Sequence, residues 1–375
     1  VSAAASTVTA GPNASHIDLI KSAPRPDTGD AISVASEYPP FPAFSLSGYD
    51  RSRAVLKIQD GCSHGCTYCI VPLTRGKARS RQYSDSLAEA QRLLASGFRE
   101  IVISGVNLRQ YRQDGDKGNK EDFWDFLTSL DADLSGEWAG TARLRVSSLE
   151  PGQLTERGLD ALRSCRLLCP HLHLSLQSGS PAVLRRMGRG HYRPDDMLAF
   201  LEALGRHWPV FALGADILTG FPGESEEEFA EGLRFCASLP LTYAHVFPYS
   251  RRPGTRAASM PAQIGQTVKK ERSALLRDMV RDKKQAFLLR QSSLPRIDVV
   301  LEGSSGSDGG HWRGLNEYYV ECLLEPPENA TIQPGQLTPV TPVAVAEEDG
   351  LLRVRLIDAS TATGAAEPEG GSGYV

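Results

Sequence analysis

The sequence predicts an α/β protein, namely a partial (βα)6 barrel followed by a small antiparallel β-barrel or sandwich. Six apolar strand-like runs alternate with helical patterns between residues 54 and 247, and strict alternation is typical of βαβ units around a parallel sheet. After a long predicted helix over 264–290, the pattern changes to short strands separated by Gly, Ser and Pro, as in small antiparallel barrels. Since each βαβ unit takes about 30–35 residues, six units fit a partial barrel better than an eightfold one.

The individual elements follow from the period of the apolar residues. The predicted core strands are 54–59, 99–104, 143–148, 172–176, 211–217 and 242–247, with helices near 85–96, 121–130, 155–164, 194–207 and 225–238. The later strands are predicted at 296–301, 315–324, 337–346 and 351–357. We therefore divide the chain into a linker or remnant of an N-terminal domain over 1–50, a core over 51–291, a small β domain over 292–358 and a disordered tail over 359–375.

Composition and charge exclude several classes of protein. The 375 residues are 41% hydrophobic and 23% charged, with a formal net charge of −4, so no global basic field indicates a nucleic-acid partner. No apolar run is long enough to span a membrane, and no charged segment followed by an apolar stretch indicates a secretory signal. The sequence therefore predicts a cytoplasmic protein with no membrane partner.

The cysteines are concentrated in one segment. Three of the seven, Cys62, Cys66 and Cys69, lie within eight residues. Soft thiolates select iron–sulfur clusters or zinc, and three ligands would leave one iron of a four-iron cube open. The alternative is a zinc site with His64 or a distant residue as fourth ligand, but zinc sites commonly have a second CxxC pair. The remaining cysteines are isolated: Cys165, Cys169, Cys236 and Cys322.

The CxxxCxxC spacing directly after a predicted strand resembles the motif of the radical S-adenosylmethionine (SAM) superfamily. The resemblance implies a 4Fe-4S cluster on Cys62, Cys66 and Cys69, with SAM bound at the open iron and cleaved by one electron to a 5′-deoxyadenosyl radical. It also implies that Tyr68 lies against the adenine of SAM. No residue is predicted to act as a direct acid or base.

Small and polar residues follow the predicted strands at the end where ligands bind in parallel barrels. Gly105 would let the backbone approach the methionine amine of SAM, as the superfamily resemblance implies. Any one of these residues fits an ordinary turn or helix cap, but together they suit the amine, carboxylate and ribose of SAM. The polar candidates for contacting SAM are Asn107, Ser148, Glu150, Gln177 and Asp216.

A closer resemblance, over roughly residues 53–290, is to the methylthiotransferases. It is carried by 57–62, 67–72, 75–81, 169–179, 220–224 and 245–255. The sequences of segments 59–62 and 169–173 most resemble those of the enzymes that act on N6-threonylcarbamoyladenosine in tRNA. This implies addition of a methylthio group at carbon 2 of the adenosine 3′ of the anticodon. The implied partners are the tRNA anticodon stem-loop and an electron donor such as flavodoxin or ferredoxin.

Three other interpretations remain open from the sequence. The first two are sibling enzymes, one acting on isopentenyladenosine in tRNA and one on an aspartate of a ribosomal protein. The third is a non-catalytic RNA-binding remnant. One departure supports it: the family carries a second 4Fe-4S cluster on three cysteines of an N-terminal domain, whereas no cysteine precedes Cys62. We expect that domain to be missing, so that the chain cleaves SAM without completing methylthiolation.

The β domain stands where the family has its TRAM module, a barrel thought to bind tRNA. However, residues 292–358 hold four basic against eleven acidic side chains, a balance that repels phosphate. Residues 51–81 hold seven basic and one acidic, and 263–291 hold eight and three. Such charge runs are often only solvated faces, but the sequence predicts that the cysteine segment and the long helix bind RNA better than the β domain does.

Overall fold

The computed structural model describes residues 41, 52–114, 120–190, 192–304, 311–325, 332–346 and 350–357. The linker predicted over 1–50 lies outside these residues apart from Phe41, and the tail predicted over 359–375 lies wholly outside them. The structure changes from α/β to all-β after residue 291.

The first domain is a partial barrel of parallel strands, as predicted. Its strands are β1 (Ala54–Asp60), β2 (Glu100–Gly105), β3 (Arg143–Val146), β4 (Ser148–Leu149), β5 (His171–Gln177), β6 (Ala212–Thr219) and β7 (Tyr243–Pro248). Neighbours in the barrel follow the order of the chain, and a bridge between Leu144 and Leu168 links its two halves. The strand predicted over 143–148 is thus interrupted at Ser147.

Helices cover the outside of the barrel. They are α1 (Tyr83–Ala95), α2 (Phe123–Trp138), α3 (Glu156–Ser164), α4 (Pro181–Met187), α5 (Pro194–His207), α6 (Glu226–Ser238) and α7 (Gln266–Gln291), with short helical turns at Val71–Thr74, Leu108–Gln110, Pro151–Gln153 and Arg256–Ser259. Two-residue strands lie at Arg79–Ser80, Gln113–Asp114 and Lys120–Glu121. Strand residues such as Leu56, Ile58, Ile101 and Ile103 are fully buried beneath the helices, as expected for a covered parallel sheet. No helix in the described part of the chain combines the length and hydropathy that a membrane crossing requires.

The second domain is a closed five-stranded barrel, which confirms the predicted barrel over the alternative sandwich. Its strands are β8 (Ile297–Ser304), β9 (Trp312–Asn316), β10 (Glu321–Leu324), β11 (Leu337–Ala346) and β12 (Leu351–Leu356). The strands pair antiparallel except for β10 and β12, which are parallel.

The single strand predicted over 315–324 is a hairpin, because a turn separates β9 from β10. Asn316 Oδ1 accepts hydrogen bonds from the backbone N–H groups of Tyr318 at 3.0 Å and Val320 at 2.9 Å. An Asn side chain that substitutes for backbone acceptors in this way favours a turn. Tyr319 completes the turn with a positive φ of 62°.

A buried group of charges joins the two domains. Glu100 on β2 accepts hydrogen bonds from Arg143 and Arg145 on β3, at 2.6 and 2.7 Å. Arg143 also donates to the backbone oxygens of Asp298 at 2.7 Å and Leu315 at 2.8 Å. Two arginines that share the Glu100 carboxylate therefore attach the first barrel to the second.

Candidate cluster site at the open end of the barrel

The three clustered cysteines lie on the loop that follows β1, and backbone contacts hold this loop in place. Gly61 has a φ of +67°, and a Cβ added there would lie 2.1 Å from the backbone oxygen of Lys77. The Cys62 N–H donates to the Gly76 oxygen at 3.0 Å, and the Thr67 N–H donates to the Met187 oxygen at 2.9 Å. Only glycine tolerates both the conformation and the close approach at position 61.

All three cysteines line one pocket of about 490 Å³. The pocket also contains His64, the helical turn after Cys69, and the loop after β7 at Gly254, Thr255 and Arg256. Three thiolates around one pocket can ligate the irons of a cluster.

Hydrogen-bond donors surround the sulfur atoms. Cys62 Sγ accepts from the His64 N–H at 3.4 Å, Gln110 Nε2 at 3.5 Å and Asn107 Nδ2 at 3.7 Å. Cys66 Sγ accepts from Arg189 Nη1 at 3.8 Å. Donors directed at sulfur stabilise thiolates that ligate metal and tune an iron–sulfur cluster. This set of donors fits the cluster that the sequence predicts.

Burial disfavours the thiolate form of the free cysteines. It raises the pKa of Cys66 and of Cys69, although the nearby positive charge of Arg189 opposes the shift at Cys66. A thiol must lose its proton to ligate iron. The positive charge of Arg189 therefore favours the thiolate form of Cys66.

Arg189 is a site residue that the sequence reasoning missed. It is 3% exposed and forms a buried ion pair with Glu150, with one contact of 3.2 Å from Nη1 to Oε1. It also donates to the Ser175 backbone oxygen. It follows α4 and a left-handed Gly188, and a lone arginine after a short helix gives no signal that would identify it from sequence.

The residues predicted to contact SAM differ in their surroundings. A Cβ on Gly105 would lie 2.9 Å from Gln59 Cβ, so tight packing also requires this glycine. Asn107 is buried and its side-chain oxygen accepts from the Arg109 N–H. Gln177 has a φ of 64°, a costly conformation for a non-glycine residue that is common at functional sites.

The remaining candidates, Tyr68, Ser148 and Asp216, have neighbours outside the cysteine pocket. The Tyr68 ring packs edge-on against Phe221, with ring centres 6.4 Å apart, and it is not among the residues that line the cysteine pocket. Ser148 Oγ lies 3.0 Å from His173 Nδ1. Asp216 lies with His173 and His245, two residues that the sequence reasoning did not select.

Comparison with known proteins agrees with this site. The radical SAM superfamily model matches residues 56–236. The threonylcarbamoyladenosine tRNA methylthiotransferase of Bacillus subtilis is 40% identical over 62% of this chain and 49% of its own length. The corresponding enzyme of Aquifex aeolicus is 35% identical over 74% of this chain and 63% of its own length. The chain thus spans roughly half to under two thirds of the curated relatives that it matches.

A solved structure of the radical SAM methyltransferase TsrM from Kitasatospora setae covers 56% of this chain and 38% of its own, with a TM-score of 0.46 and 17% identity. That similarity is too low to bear on function. The family match includes the cysteine loop and β1 to β6. Residues 56–236 thus match the radical SAM superfamily, and the chain is similar to the threonylcarbamoyladenosine tRNA methylthiotransferases.

Proposed function

We propose that this chain is a radical SAM transferase that acts in the methylthiolation of N6-threonylcarbamoyladenosine beside the tRNA anticodon. The observation that carries the proposal is the loop after β1, where Cys62, Cys66 and Cys69 line one open pocket. The substrate follows from the similarity to the threonylcarbamoyladenosine tRNA methylthiotransferases. Neither the isopentenyladenosine nor the ribosomal-protein alternative has an observation in its favour.

Two sets of residues would hold the two cofactors. Cys62, Cys66 and Cys69 would hold a 4Fe-4S cluster, which when bound supplies the electron that cleaves SAM. Tyr68, Gly105, Asn107, Ser148, Glu150 and Gln177 remain the proposed SAM-binding residues. Asp216, which the sequence also predicts to contact SAM, groups with His173 and His245. Asn107 has a second role, because its amide also donates to Cys62 Sγ. The second cluster expected on an N-terminal domain stays a prediction.

The RNA would approach the mouth of the pocket. Exposed cations stand there: Lys77 and Arg256 line the pocket, and Arg251 and Arg252 lie on the adjoining loop after β7. An anticodon loop presents phosphates to such cations and a splayed base to the site. A reduced flavodoxin or ferredoxin would deliver the electron, and the cytoplasm is the compartment that holds these partners.

The long basic helix α7 is less suited to RNA than the sequence predicted. Lys269 is buried and donates to the Tyr249 backbone oxygen at 2.8 Å. Arg272 pairs with Glu224 at 2.7 Å, and Lys283 donates to the Ala237 oxygen at 2.7 Å. These cations stabilise the fold, so we assign RNA affinity mainly to the pocket mouth.

An anaerobic reconstitution tests the proposal. The chain is loaded with iron and sulfide, reduced with dithionite and given SAM, and 5′-deoxyadenosine is measured together with about four irons and four sulfides per chain, as a single cubane requires. The matched control replaces Cys165, an isolated cysteine of similar exposure, with Ala and should behave as the parent. Replacement of Cys66 with Ala should abolish both the cluster and the product. Bound zinc without sulfide, or no 5′-deoxyadenosine from the loaded parent, would overturn the proposal in favour of a zinc protein or an RNA-binding remnant.

A further inference from the structure

A second polar group lies inside the barrel, on three adjacent strands. His173 on β5, Asp216 on β6 and His245 on β7 place one side-chain nitrogen or oxygen each within 4.8 Å of one another. His173 Nε2 lies 3.7 Å from Asp216 Oδ1. The register of the sheet brings them together, because His245 pairs with Asp216 and His173 pairs with Gly214.

His173 has an unused hydrogen-bonding atom. Its Nδ1 lies 3.0 Å from Ser148 Oγ, whereas its buried Nε2 has no hydrogen-bond partner within the described part of the chain. Burial and the neighbouring His245 lower the pKa of His173 to about 4, so the ring is neutral at pH 7. A neutral imidazole has one N–H and one acceptor nitrogen, so the buried Nε2 can donate to or accept from a bound polar group according to the tautomer.

The surrounding rings keep the site open and ordered. A Cβ on Gly214 would lie 2.1 Å from Tyr243 and 2.6 Å from His173, so only glycine leaves room for these rings. Tyr243 and His173 stack with centres 5.6 Å apart and an angle of 20°. His245 is exposed at the other side of the group, which leaves the site accessible from solvent.

The group also adjoins the cysteine loop. Arg189 lies close enough to Asp216 for its charge to oppose the rise in the pKa of Asp216 that burial causes. The same guanidinium lies 3.8 Å from Cys66 Sγ. The three side chains and the cysteine loop thus have one guanidinium as a common neighbour.

We propose that His173, Asp216 and His245 recognise the polar N6 substituent of the target adenosine. The inference rests on the proposed function and names the residues that select its substrate. A threonylcarbamoyl group carries urea N–H groups, carbonyl and carboxylate oxygens and a hydroxyl, so two imidazoles and a carboxylate can pair with it. An isopentenyl group would cover these atoms without pairing with them, and buried polar groups left unpaired discriminate strongly against such a substrate.

Three short RNAs test this selectivity on the whole chain. Each is the same anticodon stem-loop, with the adenosine 3′ of the anticodon unmodified, threonylcarbamoylated or isopentenylated, and binding is measured by fluorescence anisotropy at one salt concentration. The parent should bind the threonylcarbamoylated RNA about tenfold more tightly than the isopentenylated one, since one or two hydrogen bonds are worth about that factor. His245→Ala should remove most of this preference, and His173→Ala should lower the affinity ratio more than His245→Ala does.

The controls separate the possible failures. His207→Ala changes an exposed histidine at the end of α5 and should keep both the ratio and 5′-deoxyadenosine formation. If the parent forms 5′-deoxyadenosine but shows equal affinities, or keeps its preference in His245→Ala, the inference fails while the proposed function stands. If the parent forms none, the proposed function fails. Two histidines and a carboxylate also suit divalent metals, so a 1:1 Zn²⁺ or Fe²⁺ site in the Cys62→Ala/Cys66→Ala/Cys69→Ala variant that disappears on adding His245→Ala would overturn the inference as well.

Discussion

At the scale of single residues, the site depends on charges that are buried together. Arg189 contacts the Glu150 carboxylate, the Ser175 oxygen and Cys66 Sγ from a position that is 3% exposed. Taking a guanidinium out of water is costly unless a carboxylate and further acceptors replace the lost hydration. The ion pair therefore fixes Arg189 at a defined distance from the cysteine loop, where a flexible surface cation would not remain.

The Arg189–Glu150 pair predicts a large effect of Arg189→Met on stability. The substitution leaves the Glu150 carboxylate buried without its guanidinium, and breaking such a pair costs about 3–5 kcal/mol. The urea-unfolding free energy of the cluster-free chain measures this. Arg206→Met is the matched control, because its ion pair with Glu202 is exposed and should contribute less than about 1 kcal/mol. Equal losses in the two variants would show that burial of the pair has no energetic role.

At the scale of elements, local signals predicted most of the fold. Helix α5 matches its predicted range over 194–207, and Pro194 stands in its first turn, a position that proline favours. The hairpin at 316–321 was missed because the turn depends on one Asn side chain and on a positive φ at Tyr319, neither of which the strand-like pattern of 315–324 reveals. Helix α4 has only seven residues, too few to show a clear helical period.

The two parts of the candidate site also differed in whether the sequence could predict them. Cys62, Cys66 and Cys69 could be predicted because their spacing lies within one loop. His173 and His245 could not, since only the pairing of β5, β6 and β7 brings them to Asp216. A contact that depends on sheet register leaves no trace in the local sequence.

We expect different effects from alanine substitution at Gly61 and at Gly97, two glycines that both have a positive φ. Gly61→Ala would place a methyl group 2.1 Å from the Lys77 backbone oxygen, so the loop must shift and its three thiols with it. Gly97→Ala has no atom within 4 Å of the new methyl group and should cost only about 1–2 kcal/mol of backbone strain. We expect Gly61→Ala to lower the iron bound per chain by more than half, while Gly97→Ala binds iron as the parent does. Full iron loading of Gly61→Ala would contradict this account of the loop.

At the scale of the whole molecule, the net charge is −4, but the surface at the mouth of the cysteine pocket is locally basic. If Arg251 and Arg252 contact phosphates, the double variant Arg251→Gln/Arg252→Gln should reduce the slope of log affinity against log salt by about 1.4–1.8, or 0.7–0.9 per contact. The matched control is Arg353→Gln/Arg355→Gln on β12 of the acidic barrel, which should leave the slope unchanged. Anisotropy titrations with one stem-loop RNA at several salt concentrations measure both. A larger change in the control would assign RNA binding to the second domain.

The attachment of the two barrels predicts how stability depends on pH. Burial alone would raise the pKa of Glu100, but the guanidinium groups of Arg145 and Arg143 outweigh it and hold the pKa well below the usual range. The ionised carboxylate therefore stabilises the folded chain above the unfolded pKa of about 4.3, and this contribution is lost as the pH falls through the lower folded value. Glu100→Gln removes the titrating group and leaves two arginines without their carboxylate, which should cost about 3–5 kcal/mol at pH 7.

Urea unfolding of the parent and Glu100→Gln between pH 7 and pH 3 would reveal this linkage. The two unfolding free energies should differ most at neutral pH and approach each other below about pH 4.3, because the unfolded parent is then protonated at this position. Since Arg143 and Arg145 also donate to backbone oxygens of the second barrel, the loss should affect both domains in one transition. A constant difference at every pH would mean that Glu100 acts through shape and not through charge.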